Sequence, residues 1–94
     1  MPSTEAQLRL TVAALMYATA ENQTDLSRGL RLSQGQVSRK QSGGSSWTLT
    51  DIDRLSAHFG IPVPDLLAGA DHAVSCLPAR RRAATIGGTQ LTTI

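Results

Sequence analysis

Ninety-four residues are enough for one small domain and leave no room for a second. Apolar types make up 40% of the chain and charged types 17%, which excludes intrinsic disorder as the dominant state, and with one Trp, one Tyr and one Phe the core has to be aliphatic. No apolar run approaches the ~18 residues of a membrane span, and Met1-Pro2-Ser3-Thr4-Glu5 lacks the basic-then-apolar pattern of a secretory leader. Cys76 stands alone, against an internal disulfide framework or a zinc site built on paired thiolates. Cytoplasm is the expected compartment, by default.

The net charge is +2, unevenly placed. Arg31, Arg39 and Lys40 fall in a stretch with no acid between residues 31 and 47, whereas Asp51, Asp53, Asp65 and Asp71 outweigh Arg54 in the stretch that follows. Arg80, Arg81 and Arg82 make a second basic block near the C-terminus. A positive face of this kind attracts polyanions.

In chain order, Leu8, Val12, Leu15 and Met16 draw one apolar stripe along a helix over about Thr4–Ala20, capped by Ser3 or Thr4. Asn22 caps a second helix with Asp25 as its box partner, and Leu26 and Leu30 face inward. Gly29 weakens that helix by ~1 kcal/mol against Ala. Ser33-Gln34-Gly35-Gln36 is an S-x-x-Q box opening a short polar helix, about Gln34–Gln41, with Val37 as its only large apolar residue. Gln34, Ser38 and Gln41 share one outward side at i, i+4 and i+7. Ser42–Ser46 is a flexible loop by composition.

Thr48 caps the fourth helix with Asp51 as box partner, Trp47 staples onto Ile52, and Ile52, Leu55 and Phe59 face the core up to the terminating Gly60. Pro64 opens a last single turn, Pro64–Ala68, with Leu66 and Leu67 turned inward. Asp71–Leu77 has a turn or two of helix before Pro78, and the remainder carries no sustained period. The expected division is a folded unit over residues 1–69 and a basic tail over 70–94, partly helical or disordered.

The run from Gln23 to Arg39, QTDLSRGLRLSQGQVSR, resembles the helix-turn-helix of the lambda-repressor/Cro superfamily. The small Ser27 stands where the two helices cross, apolar residues stand at Leu26, Leu30, Leu32 and Val37, and Gln34 opens the second helix. The later WTLTDIDRL and FGIPVPDLLAG segments resemble the fourth and fifth helices of that family, so the resemblance covers residues 8–69. Its flavour is that of small regulators of actinobacterial phages and their hosts. It implies an all-α, five-helix lambda-repressor-like DNA-binding domain. Three features depart from the family pattern: Arg31 stands where the turn usually has Gly, Lys40 where late helix three is usually apolar, which is expected to weaken the anchoring of that helix end, and the loop Ser42–Ser46 is Gly/Ser-rich where many members carry Glu-x-Gly.

A helix of this kind fits the major groove and presents its N-terminal side chains to base edges. Gln34, with Ser38 and Gln41, is the candidate for base contacts; Gln23, Ser33, Arg39 and Lys40, with the backbone of Gly43, Gly44 and Ser45, suit phosphates. Gln36, as box partner of Ser33, is an ambiguous extra contact, and Arg80, Arg81 and Arg82 are either additional backbone contacts or a charged flexible tail. His58 is expected on the surface. His72 and Cys76, at i, i+4, can touch one metal but lack two further ligands, so no metal is expected. Nucleophile elbows, phosphate-cradling loops and H-E-x-x-H are absent, and Asp51 and Asp53 point apart, so no enzyme, cofactor or small-molecule substrate is expected. The expected function is a sequence-specific double-stranded-DNA-binding transcription regulator, a repressor of phage immunity or Cro type, pairing as a homodimer on a palindromic operator. The alternative is a protein-interaction module of the same fold, such as an antitoxin.

Overall fold

The computed structural model describes residues 3–83. Among them the chain is all-helical and without a strand: α1 (Thr4–Thr19), α2 (Gln23–Leu30), α3 (Gln34–Ser42), α4 (Leu49–Phe59), α5 (Val63–Leu66) and α6 (Ala70–Ser75), then a 3-10 turn at Ala79–Arg81. No helix among these residues is long and apolar enough to cross a membrane.

The helix starts follow the chemistry of their first turns. Asn22 with Asp25, Ser33 with Gln36 and Thr48 with Asp51 each form a reciprocal capping box, and Ser3 Oγ accepts from the Ala6 N–H at 3.0 Å. The ends use the left-handed conformation: Ala20, Arg31, Gly43 and Gly60 all have positive φ. Ala20 and Arg31 adopt it with a side chain attached, where glycine would be strain-free.

One aliphatic core is shared by all the helices. Leu8, Val12 and Leu15 of α1 meet Leu26 and Leu30 of α2, Val37 of α3, Leu55 and Phe59 of α4, and Ile61 and Leu66 at α5. Trp47 is buried, and Ile52 is half-buried against the same cluster, as a staple requires. Thr11 is buried too, its hydroxyl donating to the Gln7 carbonyl at 3.0 Å. The last turn runs over Val63–Leu66 rather than Pro64–Ala68, and Leu67 is 38% exposed instead of facing inward.

The core also reaches past Gly69. Ala73 and Leu77 are buried in it, α6 packs along α1, and the Ala83 N–H donates to the Ala18 carbonyl at 3.0 Å. The segment expected to be tail is therefore part of the folded body as far as residue 83; residues 84–94 lie outside the described residues.

His58, expected on the surface, is drawn in as well: its side chain is 15% exposed and Nε2 lies 2.8 Å from Glu21 Oε1. Arg81 closes the same group, donating from Nη2 to Glu21 Oε2 at 2.7 Å with its guanidinium over the Phe59 ring. Three distant segments are thus joined by side-chain polar contacts at the edge of the core.

Candidate nucleic-acid interface

The α2–turn–α3 unit is built by local bonds. The Arg31 N–H donates to the Arg28 carbonyl and the Leu32 N–H to the Ser27 carbonyl at 3.0 Å, which folds the chain back within three residues. Arg54 of α4 donates from Nη1 to the Leu30 carbonyl at 3.1 Å, satisfying the exposed end of α2. Val37 is fully buried and is the only buried residue of α3. The helix therefore sits on the body by one side chain and its termini.

Gln34, Gly35, Gln36, Ser38 and Arg39 are exposed. The Gln36 amide oxygen accepts from the Ser33 N–H at 2.8 Å and Ser33 Oγ accepts from the Gln36 N–H, so both side chains serve the cap. Among the described residues, Gln34 and Ser38 have no side-chain hydrogen bond and Arg39 no acidic partner. These three make the outward polar face of α3.

Gln41, expected on that face, and Lys40, expected on a phosphate, are engaged within the protein instead. Gln41 is half-buried: its amide nitrogen donates to the Arg9 carbonyl at 3.2 Å and its amide oxygen accepts from Trp47 Nε1 at 3.2 Å. It ties α3 to α1 and to the loop rather than facing outward. Lys40 donates from Nζ to Asp51 Oδ2 at 2.7 Å and to the Ser46 carbonyl at 2.9 Å, and its side chain is 12% exposed. Its ammonium is neutralised inside the fold. The position that departs from an apolar pattern anchors the end of α3 by an ion pair rather than weakening it.

Burial pushes the Asp51 carboxyl up, but hydrogen bonds from Lys40 and from the Thr48 N–H and hydroxyl outweigh it and hold the group below the usual carboxylate range. The loop after α3 is correspondingly held. The Gly44 and Ser45 N–H groups both donate to the Arg39 carbonyl, at 2.8 and 3.2 Å, and Gly43 takes φ 92°.

Arg9 was not among the candidate residues. Its guanidinium lies about 3.5 Å from the point where a β-carbon on Gly43 would sit, so a cation from α1 stands beside the C-terminal end of α3. Nothing near Arg9 in the chain signals this; the pairing spans more than thirty positions and exists only in the folded body. With Arg31 and Arg39 exposed, the positive groups around α3 are Arg9, Arg31 and Arg39, and Lys40 is not one of them. Gln23 is half-buried at the start of α2. In the second basic block, Arg80 is exposed, Arg82 donates to the Val74 carbonyl at 2.8 Å, and Arg81 is held by Glu21.

No curated protein and no solved structure significantly matches the chain. The family model of the BetR domain matches residues 4–92, nearly its whole length. The helical body, with its short helix-turn-helix, is thus a BetR domain, and the chain belongs to that family of small helical, helix-turn-helix-like domains.

Proposed function

We propose that this chain is a sequence-specific double-stranded-DNA-binding transcription regulator that places α3 in the major groove, in the manner of lambda-repressor-like domains. The observation that carries the reading is the outward face of α3: a helix whose one buried residue is Val37 and whose C-terminal end is tied down by Lys40 and Gln41, with Gln34 at its first position and the side chains of Gln34, Ser38 and Arg39 exposed and unengaged among the described residues. Gln34 makes paired hydrogen bonds to adenine N6 and N7, Ser38 reads the neighbouring step, and Gly35 permits the close approach. Arg39, Arg31 and Arg9 hold phosphates, while the backbone N–H groups of Gly43, Gly44 and Ser45, which sequence reasoning offered for the same role, are taken by the Arg39 carbonyl. Membership of a helix-turn-helix-like family supports the regulatory role. One such helix reads few base pairs, so two copies on a palindrome about 34 Å apart complete the site, and occupancy of an operator makes the protein a repressor.

The test is selection of bound sites from random duplexes, followed by a salt titration on the selected site. A recovered palindrome is the expected result, with log affinity falling linearly in log salt at ~0.9 per phosphate contact. Recovery of no sequence, together with salt-indifferent binding to a protein partner, overturns the proposal in favour of an interaction module such as an antitoxin.

A further inference from the structure

The sequence pairs His72 with Cys76 on one helical face and supplies no further ligand nearby. The fold supplies one. Asp65 belongs to α5, His72 to α6, and Cys76 caps the C-terminal end of α6. Between α5 and α6 the chain reverses at Gly69, whose φ of 117° is closed to residues with a β-carbon. That reversal brings the Asp65 carboxylate, the His72 imidazole and the Cys76 sulfur within 4.8 Å of one another.

How the three atoms meet is more telling than that they meet. Asp65 Oδ1 is 2.8 Å and Cys76 Sγ 3.5 Å from the same imidazole nitrogen, His72 Nε2. In a nucleophilic Cys–His–Asp relay the acid and the thiol address opposite nitrogens of the ring, so that a proton taken from sulfur is balanced across it. Here both address one nitrogen, which carries at most one proton. Three donors converging on a single point suit one cation between them, and they do not form a relay.

We infer that Asp65, His72 and Cys76 bind a divalent transition-metal ion of the zinc class, water completing its shell. The donor set selects the metal. Thiolate and imidazole favour zinc-like ions, whereas calcium and magnesium take oxygen ligands. Zinc–ligand bonds of about 2.0–2.3 Å set tetrahedral edges of about 3.3–3.6 Å. The His72–Cys76 separation of 3.5 Å already lies in that range, the 2.8 Å Asp65–His72 separation has to open by about half an ångström, and the wider Asp65–Cys76 edge, within 4.8 Å, has to close by about 1 Å. The His72 and Asp65 side chains are 49% and 38% exposed, so an ion has a path in. A bound ion ties α5 to α6, the helix that packs along α1. The site is separate from α3 and independent of the DNA-binding proposal.

The experiment uses the untagged full chain under reducing conditions, with Zn²⁺ titrated against a chromophoric chelator and Co²⁺ as spectroscopic probe. The expected result is one metal per chain, with a thiolate-to-cobalt charge-transfer band in the near ultraviolet. Cys76→Ser removes that band. Cys76→Ser, His72→Gln and Asp65→Asn each weaken zinc at least about tenfold, since loss of outer-sphere partners alone costs about 10- to 100-fold in comparable sites. None of the three is a buried residue, so helical circular dichroism is retained. Should a variant unfold, the wild-type cobalt spectrum decides. A wild-type spectrum without the thiolate band, or folded variants that bind zinc as tightly as wild type, overturns the site.

Discussion

The Lys40 ammonium and the Asp51 carboxylate lie 2.7 Å apart with side chains 12% and 6% exposed, joining the end of α3 to the first turn of α4. The same carboxylate accepts the Thr48 N–H at 2.9 Å, so one group both caps a helix and receives a buried cation. Asp51→Ala leaves Lys40 buried without its partner and removes the box partner of Thr48 at the start of α4. The expected loss is about 3–5 kcal/mol, a large part of the stability of a small domain, measured by urea denaturation at neutral pH.

The same pair sets an acid limit. Because the folded-state value of Asp51 lies below its ordinary value, its contribution is complete above about pH 4 and is lost as pH falls through the lowered folded value. Stability followed from pH 6 downward should show this loss in the wild type. Asp51→Asn starts from lower stability and has a flatter acid limb; an unchanged limb in the variant refutes the assignment.

Gly29 packs beneath His58. A β-carbon there would lie 2.3 Å from His58 Nδ1, on a ring whose other side is fixed by Glu21 at 2.8 Å. Gly29→Ala would gain ~1 kcal/mol in an isolated helix. In this protein it is expected to destabilise by about 1–2 kcal/mol, because the ring must leave Glu21 or α2 must move off α4. Thermal unfolding of the variant gives the sign directly.

Arg31 holds φ 59° at the C-terminal cap of α2. A left-handed residue with a β-carbon costs about 1–2 kcal/mol, partly offset by the lower unfolded-state entropy it brings relative to glycine. Arg31→Gly is therefore expected to stabilise the fold by about 0.5–1 kcal/mol in urea denaturation. A destabilised variant would show that the Arg31 side chain makes a contribution larger than its backbone strain.

On DNA, Gln34 and Arg39 should separate. Gln34→Ala is expected to cost about 1–3 kcal/mol on the selected site and to relax preference at one base position, while Arg39→Ala weakens all duplexes alike and lowers the salt slope by about one. Gln41→Ala should act differently from both, lowering stability through its lost bonds to Arg9 and Trp47 while leaving base preference unchanged. Equal losses for Gln34→Ala and Arg39→Ala on random DNA would remove base reading from Gln34.

Local signals were legible in the chain because their physics is local. The boxes at Asn22, Ser33 and Thr48 act within four residues, the inward stripes follow the helical repeat, and the helix boundaries came out within a residue or two on that basis. The exposure of Gln34 and Ser38 follows from Val37 being the lone apolar anchor of α3. Arg9 beside Gly43 and Arg81 on Glu21 depend on segments that meet only when the core closes, and Asp65 beside His72 on how the chain turns between α5 and α6.

Sequence by itself determined the helices, their caps and which face of α3 turns inward on Val37, since each is fixed by neighbours one to four positions apart. Only tertiary structure decided which polar groups face outward. Gln41 reads as a surface residue by spacing and Lys40 as a phosphate contact by charge, yet Asp51, Ser46, Arg9 and Trp47 claim their hydrogen-bonding groups. A polar side chain near the core takes partners there whenever they replace the water it loses, and which partners come within reach is set by helix packing rather than by the order of residues along the chain.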